Sequence, residues 1–426
     1  MSLTEKGYKK RLIDSKIDRY LDTFGAILIE GPKWCGKTWT ALNHAESVSF
    51  VTETSTKRLA LINPKNIFSD KKPQLIDEWQ IVPAIWDSVR HECDRGKGPG
   101  NFILTGSTTL KKDEMRNMIH HSGAGRIARL KMETMSLFES GDSTGDVSLT
   151  LMLENQDLNK NTGEVELIHL ANLLIRGGWP ESLKVKKENY PLIPKSYIDS
   201  ILNVEISEDE KARDKNKMNM LLKSLARNES TIASNKTLIK DIEEYETGND
   251  VLSSRTTLLD YLDFLERLHL IENQESYSSN YRSPERVGKS VKRHFVDPSL
   301  ACSLLNLNVD KLMKDLNTFG FLFESLVERD LRIYMDYLDG KIYHFRDNVS
   351  GLEVDSILEF ADGEYAAVEI KLGYNEVNDA IKNLQEFYNN MIKKPKFMCV
   401  IVGVLEAAYK DPDTSIYVVP ITALRP

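Results

Sequence analysis

The sequence predicts an α/β multidomain protein, on three observations. A glycine turn at residues 31–38, reading GPKWCGKT, follows the apolar run Ala26-Ile27-Leu28-Ile29 and leads into Trp39-Thr40-Ala41-Leu42, the order strand, loop, helix. Residues 191–315 carry several stretches of helical periodicity separated by polar breaks. From about Asn317 a long amphipathic stretch, 319–335, gives way to three extended runs at 341–346, 352–360 and 365–372.

The turn fits G-x-x-x-x-G-K-[ST], in which glycines let backbone N–H groups close on phosphate oxygens. The nucleotide-binding candidates are therefore Gly31, Pro32, Lys33, Trp34, Cys35, Gly36, Lys37, Thr38 and Trp39. Lys37 is expected to reach the β- and γ-phosphates and Thr38 to ligate magnesium. A second apolar run, 74–76, delivers Asp77 and Glu78, and a third, 101–104, delivers Thr105-Gly106-Ser107. Open α/β sheets place ligand chemistry at these carboxyl ends of strands. Asp77 would share the magnesium with Thr38, and Glu78 would polarise the attacking water. Thr105 and Ser107 would sense the γ-phosphate, although Thr-Gly-Ser is also ordinary turn chemistry. Arg126, directly after the glycines of Gly123-Ala124-Gly125, is the candidate charge-stabilising arginine, in cis or in trans; the plain alternative is a surface arginine. ATP and Mg2+ are the expected ligands.

At 426 residues the chain predicts two to four domains. Its 41% hydrophobic and 28% charged residues suit a globular protein, and a formal net charge of −8 argues against a generally basic nucleic-acid coat while leaving room for a local basic patch. Cys35, Cys93, Cys302 and Cys399 lie far apart, which fits neither a zinc ribbon nor a disulfide framework and predicts a reducing, cytoplasmic setting. Cys35 lies in the phosphate loop, where the helix and lysine fields would lower its pKa unless it is simply a small filler. No apolar leader or run of about 18 apolar residues is seen, so neither secretion nor a membrane span is expected.

The expected organisation is a P-loop parallel-sheet ATPase core at 1–139, a linker and helical segment at 140–190, a winged-helix-like helical domain at 191–315 and a nuclease-like α/β domain at 316–426. The core starts with a helix over 8–22 bearing Ile13, Ile17 and Leu21. Residues 140–163, rich in Asp, Ser, Thr, Gly and Asn, read as a loop or linker, and a helix over 165–174 stops at Gly177-Gly178-Trp179-Pro180. Helices, a turn, a longer leucine-striped helix at 254–268 and a hairpin give the order of a winged helix. Its wing, 281–294, holds Arg282, Arg286, Lys289, Lys292 and Arg293, which would meet DNA phosphates. Against this, Asp260, Asp263 and Glu266 on the preceding helix are poorly suited to a groove of phosphates.

In the last domain, strand alternation puts Glu369 and Lys371 on one face of their strand, and Asp355 interrupts the strand before it. Two carboxylates and a lysine are the parts of a metal-dependent phosphodiesterase. Asp355 and Glu369 would bind magnesium, Glu324 would complete the shell, and Lys371, its pKa lowered by burial, would orient the water. A common exposed strand edge is the alternative.

Together these segments resemble a prokaryotic family of AAA-related P-loop ATPases with a C-terminal domain of unknown function. The likeness rests on residues 31–38, Leu75-Ile76-Asp77-Glu78-Trp79-Gln80, Leu104-Thr105-Gly106-Ser107, Gly123–Ile127, Arg176–Glu181, Lys289–Lys292, Phe323-Glu324, Glu353-Val354-Asp355 and Glu369-Ile370-Lys371. It implies ATP binding, an AAA-like core, a winged helix and a domain similar to the PD-D/E-x-K nucleases (restriction-endonuclease-like). Val291 and His294 stand where the family pattern would have proline and an aromatic residue. The leading expectation is a Mg-dependent ATPase that uses nucleotide state to rearrange its C-terminal domains over DNA, as a monomer or homo-oligomer. The alternatives are an ATP-regulated nuclease and a non-catalytic, nucleotide-dependent binding switch.

Overall fold

The computed structural model describes residues 3–95, 98–107, 123–206, 213–243, 255–278, 291–347 and 349–426. They fall into two compact units, one of residues 1–134 with 264–270, the other of 135–263 with 271–426. No helix among the described residues is long and apolar enough to cross a membrane.

In the first unit, β1 (Ala26–Glu30), β2 (Ser47–Phe50), β3 (Gln74–Asp77), β4 (Phe102–Gly106) and β5 (Ile127–Lys131) form a fully parallel sheet in the order β2-β3-β4-β1-β5. Both faces are covered, as parallel sheets require. Alternation along β1 sends Ile27 and Ile29 into one core with Ile13, Ile17 and Leu21 of the helix Ile13–Leu21. It sends Ala26 and Leu28 into the other, with Ile85, Trp86 and Val89 of the helix Ala84–Asp94. Since β4 pairs between β1 and β3, the ends of all three strands open side by side at one edge, where loops can share a ligand.

The second unit holds β6 (Val147–Ser148), β7 (Asn159–Asn161), β8 (Ile271–Gln274), β9 (Lys292–Phe295), β10 (Lys341–Arg346), β11 (Glu353–Glu359), β12 (Tyr365–Lys371), β13 (Phe397–Val402), β14 (Ala407–Lys410), β15 (Tyr417–Pro420) and β16 (Leu424–Arg425). Seven of these make a mixed sheet, β10-β11-β12-β13-β15-β14-β7. The helix Leu316–Tyr337, capped by Asp315 on Thr318 N, and the helix Val377–Asn390 both pack against β12. The second helix packs Val377, Ala380, Ile381, Leu384 and Phe387 against Ala367 and Val400 of the sheet.

The stretch 140–163 is not a linker in the structure. It contributes β6, which pairs with β16, and β7, which forms the edge of the seven-stranded sheet. The Asn-Lys-Asn sequence of β7 is wholly exposed and carries no apolar alternation, so its pairing left no sequence signal. The helices Leu192–Ser200, Lys215–Arg227, Asn235–Glu243 and Arg255–Arg267 precede the antiparallel pair β8–β9, in which Ile271 faces Phe295. Arg282, Arg286 and Lys289 lie outside the described residues.

Candidate functional site

The loop leaving β1 is shaped by its glycines. A Cβ on Gly31 would lie 2.1 Å from Met132 O, because β5 runs on past the loop and Met132 N donates to Glu30 O at 2.8 Å. Gly36 takes a φ of 103° immediately before the helix Lys37–His44. Trp34 also adopts the left-handed region at 64°, and Pro32 is buried while Lys33 is half-buried. Trp34 and Trp39 are 46% and 36% exposed, large apolar surfaces beside the loop. The Lys37 ammonium is buried and donates to the carbonyls of Gly31 at 2.9 Å and Pro32 at 2.8 Å. Two carbonyls thus satisfy it where phosphate oxygens would otherwise accept.

Thr38, Asp77 and Thr105 meet at the strand ends. The Thr38 hydroxyl donates to Asp77 Oδ1 at 2.8 Å, and the Thr105 hydroxyl to the same oxygen at 2.7 Å. Burial pushes the Asp77 carboxyl above its usual range, and these hydroxyls pull it partly back. Glu78 has a left-handed φ of 56° and donates its N–H to Thr105 Oγ1 at 3.4 Å. Its carboxylate accepts from Gln80 Nε2 at 2.5 Å and from Ser107 Oγ at 3.2 Å. A hydroxyl and a carboxylate one hydrogen bond apart suit a hard cation such as Mg2+.

Of the two readings of Cys35 the structure favours the filler, and the cis placement of Arg126 is corrected. Cys35 is wholly buried with its thiol 3.7 Å from Met132 O, and burial raises rather than lowers its pKa, so it is a small filler. Arg126 lies at the wrong end of the sheet for its own phosphate loop. Its carbonyl accepts from Ala26 N at 3.0 Å at the amino end of β1, and the loop leaves the carboxyl end, roughly 16 Å away at about 3.3 Å per residue. The exposed Arg126 side chain pairs with Asp94 at 2.7 Å. Gly123 beside it is needed because a Cβ there would lie 2.8 Å from the Trp86 ring. A cis role for Arg126 is thereby removed.

Arg11 has a part that sequence reasoning missed. Its buried guanidinium donates to Cys35 O at 2.9 Å, Glu133 O at 3.0 Å and Thr134 O at 3.0 Å, bracing the phosphate loop against the chain after β5. A lone arginine before a helix gives no signal of this.

In the second unit, Lys371 Nζ stands 2.8 Å from Glu369 Oε2 and 3.4 Å from Asp355 Oδ2. Asp355 Oδ2 also accepts from Ile370 N at 2.8 Å, and Glu369 Oε1 from Asn383 Nδ2 at 2.7 Å. Glu324 is ion-paired with Lys292 of β9. Burial lifts Glu324 and Glu369 to about 8. Burial alone would lower Lys371, as expected from its apolar flanks, but Asp355 and Glu369 outweigh it and raise its pKa. Among the described residues no group of three His, Cys, Asp or Glu side chains is arranged to hold a metal. The carboxylates meet ammonium and amide donors instead, so this cluster does not fit a magnesium ion as it stands. Lys292 and Arg293, expected on an exposed wing, are engaged internally: Lys292 is buried, and Arg293 donates to Ala233 O and Asn235 Oδ1, both at 3.0 Å. Lys292 carried no signal of its ion pair, because Glu324 lies on a helix 32 residues further on.

Residues 23–140 match the family described as "AAA domain". Residues 168–311 and 319–424 match two families described as domains of unknown function, DUF8612 and DUF4143. A search of curated proteins finds no match. Among solved structures, a Walker-type ATPase of Pyrococcus abyssi is similar with 14% identity and a TM-score of 0.45, over 71% of this chain and 99% of that one. The ORC2 protein of Aeropyrum pernix, solved with ADPNP and ADP, is similar with 15% identity and a TM-score of 0.32, over 74% and 98%. The ORC1 protein of Aeropyrum pernix, solved in complex with DNA, gives 11% identity and a TM-score of 0.25, over 73% and 95%.

Proposed function

We propose that this chain, an AAA domain joined to a C-terminal domain of unknown function, hydrolyses ATP and uses its nucleotide state to rearrange its C-terminal domains. The reading is carried by one observation: Thr38, Asp77 and Thr105 share a carboxylate oxygen beside a Glu78 held by Gln80 and Ser107. The loop N–H groups would bind the ATP phosphates, and Lys37 would exchange the Gly31 and Pro32 carbonyls for phosphate oxygens. Thr38 and Asp77 would hold Mg2+, which when bound neutralises phosphate charge. Glu78 would orient a water whose oxygen attacks the γ-phosphorus as the bond to the β–γ bridging oxygen breaks; ADP leaves with the electron pair, and the water's proton passes through the Glu78 carboxylate to phosphate. With no cis role for Arg126, a charge-stabilising arginine at that position would serve a neighbouring copy.

The order of three helices and the β8–β9 pair supports a winged helix in the middle of the chain. With Lys292 and Arg293 engaged internally, DNA phosphates would fall to Arg282, Arg286 and Lys289. The rival reading, an ATP-regulated PD-D/E-x-K nuclease, has the approach of Lys371 to Asp355 and Glu369 in its favour. It needs a cation seated where Lys292 and Lys371 already place ammonium groups, which favours a C-terminal domain that grips a partner without cutting it.

Magnesium-dependent phosphate release from the full chain tests the reading, with Glu78→Gln as the variant. ATP binding should persist in that variant while release falls by about 10²–10⁴-fold. Absence of release from the wild type, or release undiminished by Glu78→Gln, would sink it.

A further inference from the structure

The carboxylates Glu324, Asp355 and Glu369 come from the helix Leu316–Tyr337, β11 and β12, and they are matched by two ammonium groups. Lys371 arises from the same strand as Glu369 and bridges it to Asp355. Lys292 arises elsewhere, from β9, whose partner β8 leads into the sheet edge: Tyr277 N donates to His344 O at 2.7 Å and His344 N to Glu275 O at 3.0 Å. This tether delivers the buried Lys292 to the half-buried Glu324 as an ion pair. Asp355 and Glu328 add to the field that keeps the Lys292 ammonium charged. Glu328 itself is engaged by Ser356 and by Gln274 Nε2 at 3.0 Å, the latter from β8.

We infer that Lys292 is a built-in cation that occupies the seat a divalent ion would need, and that it closes the nuclease-like cluster to metal. Lys292 and Lys371 already place ammonium groups on Glu324, Glu369 and Asp355, so a divalent cation entering the cluster would meet positive charge at the oxygens it needs. Every one of the three carboxylates already accepts from a lysine, and two accept from amide groups as well. A metal would have to displace Lys292 from Glu324 and leave a buried ammonium unpaired, which is strongly unfavourable. The cluster therefore acts as a latch that fixes the β8–β9 pair to the C-terminal sheet, and phosphodiester cleavage is absent while Lys292 is seated. None of this depends on the ATP reading.

The test is a Mn2+ titration of the nucleotide-free full chain, read by the electron paramagnetic resonance of the free ion, alongside plasmid nicking in Mn2+. The wild type should hold no Mn2+ that Asp355→Asn removes, and should not nick. Lys292→Met, which removes the ammonium and keeps most of the unbranched side chain, should gain one Mn2+ per chain, lost again in the double variant with Asp355→Asn; Lys292→Ala is the second variant if the first melts early. Wild-type Mn2+ binding or nicking that depends on Asp355 would overturn the inference. So would a folded Lys292→Met chain that gains no ion. Should neither Lys292 variant fold, the wild-type arms decide alone, since binding or nicking there refutes the inference and their absence supports it.

Discussion

The Thr38 hydroxyl donates to Asp77 Oδ1 at 2.8 Å, tying the first turn of the phosphate-loop helix to the end of a strand 39 positions later. Thr105 donates to the same oxygen, so one carboxylate holds two loops in register. Removing the Thr38 hydroxyl should therefore affect both metal and geometry. Thr38→Ala should lower phosphate release far more than nucleotide binding in the absence of Mg2+, and raising Mg2+ should recover only part of the rate.

Glu78 is positioned rather than merely present. Gln80 and Ser107 bind its carboxylate, and hydrogen bonds to a charged group contribute about 1.5–3 kcal/mol each. Gln80→Leu should slow turnover by roughly 10- to 100-fold with little change in ATP affinity, and Ser107→Ala should act in the same direction. A shift confined to affinity would show that neither residue orients Glu78.

The phosphate loop tolerates no side chain at Gly31, because Met132 O, a backbone atom that cannot turn aside, lies 2.1 Å from where the Cβ would sit. Gly31→Ala should weaken ATP binding by tenfold or more, about 1.4 kcal/mol, in a fluorescence titration. Wild-type affinity in that variant would mean that the loop leaves its contact with Met132 at no cost.

His44 gives the first unit a pH dependence of definite sign. Burial disfavours its charge, but hydrogen bonds and charges from Asp14 at 3.1 Å and Asp18 at 2.7 Å outweigh burial and raise its pKa. A raised histidine contributes stability that is complete below its unfolded value of 6.5 and is lost as pH rises through the folded value. Asp14, whose pKa the hydrogen bonds from His44, Tyr8 and the Arg11 N–H lower despite its burial, contributes above its unfolded value of 3.8 and loses that contribution as pH falls. Melting temperature should thus decline as pH climbs from 6.5, and His44→Gln should flatten the decline while lowering stability at pH 6. An unchanged slope in the variant would remove His44 as its origin.

The phosphate loop was legible in the sequence because glycines, lysine and threonine at fixed spacing leave a local signature, and the strand ends at Asp77 and Ser107 followed from short apolar runs. The extended runs around Asp355 and Glu369 were legible by alternation. What was hidden is non-local. The glycines just before Arg126 announce a turn but not which end of a parallel strand the turn occupies. A lysine near a hairpin reads as a surface base until its partner is known, and Glu324 lies on another element. The exposed strand β7 has no apolar residue to reveal it.

Arg329 offers the sharpest test of stability. It is almost wholly buried, with Nη1 at 3.1 Å from Asp297 and Nη2 at 2.7 Å from Asp330. Each carboxylate also serves the backbone: Asp297 accepts from Gly178 N at 2.8 Å and Ser299 N at 3.1 Å, and Asp330 from Leu137 N at 2.9 Å. The triad therefore fixes the Gly177-Gly178-Trp179 turn, the segment after Met135 and the start of the helix Pro298–Leu304 to one guanidinium. Replacing only the arginine strands two buried carboxylates, so Arg329→Met should cost about 3–5 kcal/mol in denaturant unfolding of the full chain. The triple variant with Asp297→Asn and Asp330→Asn removes both stranded charges while keeping acceptor oxygens for the backbone N–H groups. It should recover part of the loss, because the penalty arises from uncompensated charge more than from lost packing. A triple variant no more stable than Arg329→Met would instead assign the cost to the cavity left by the guanidinium.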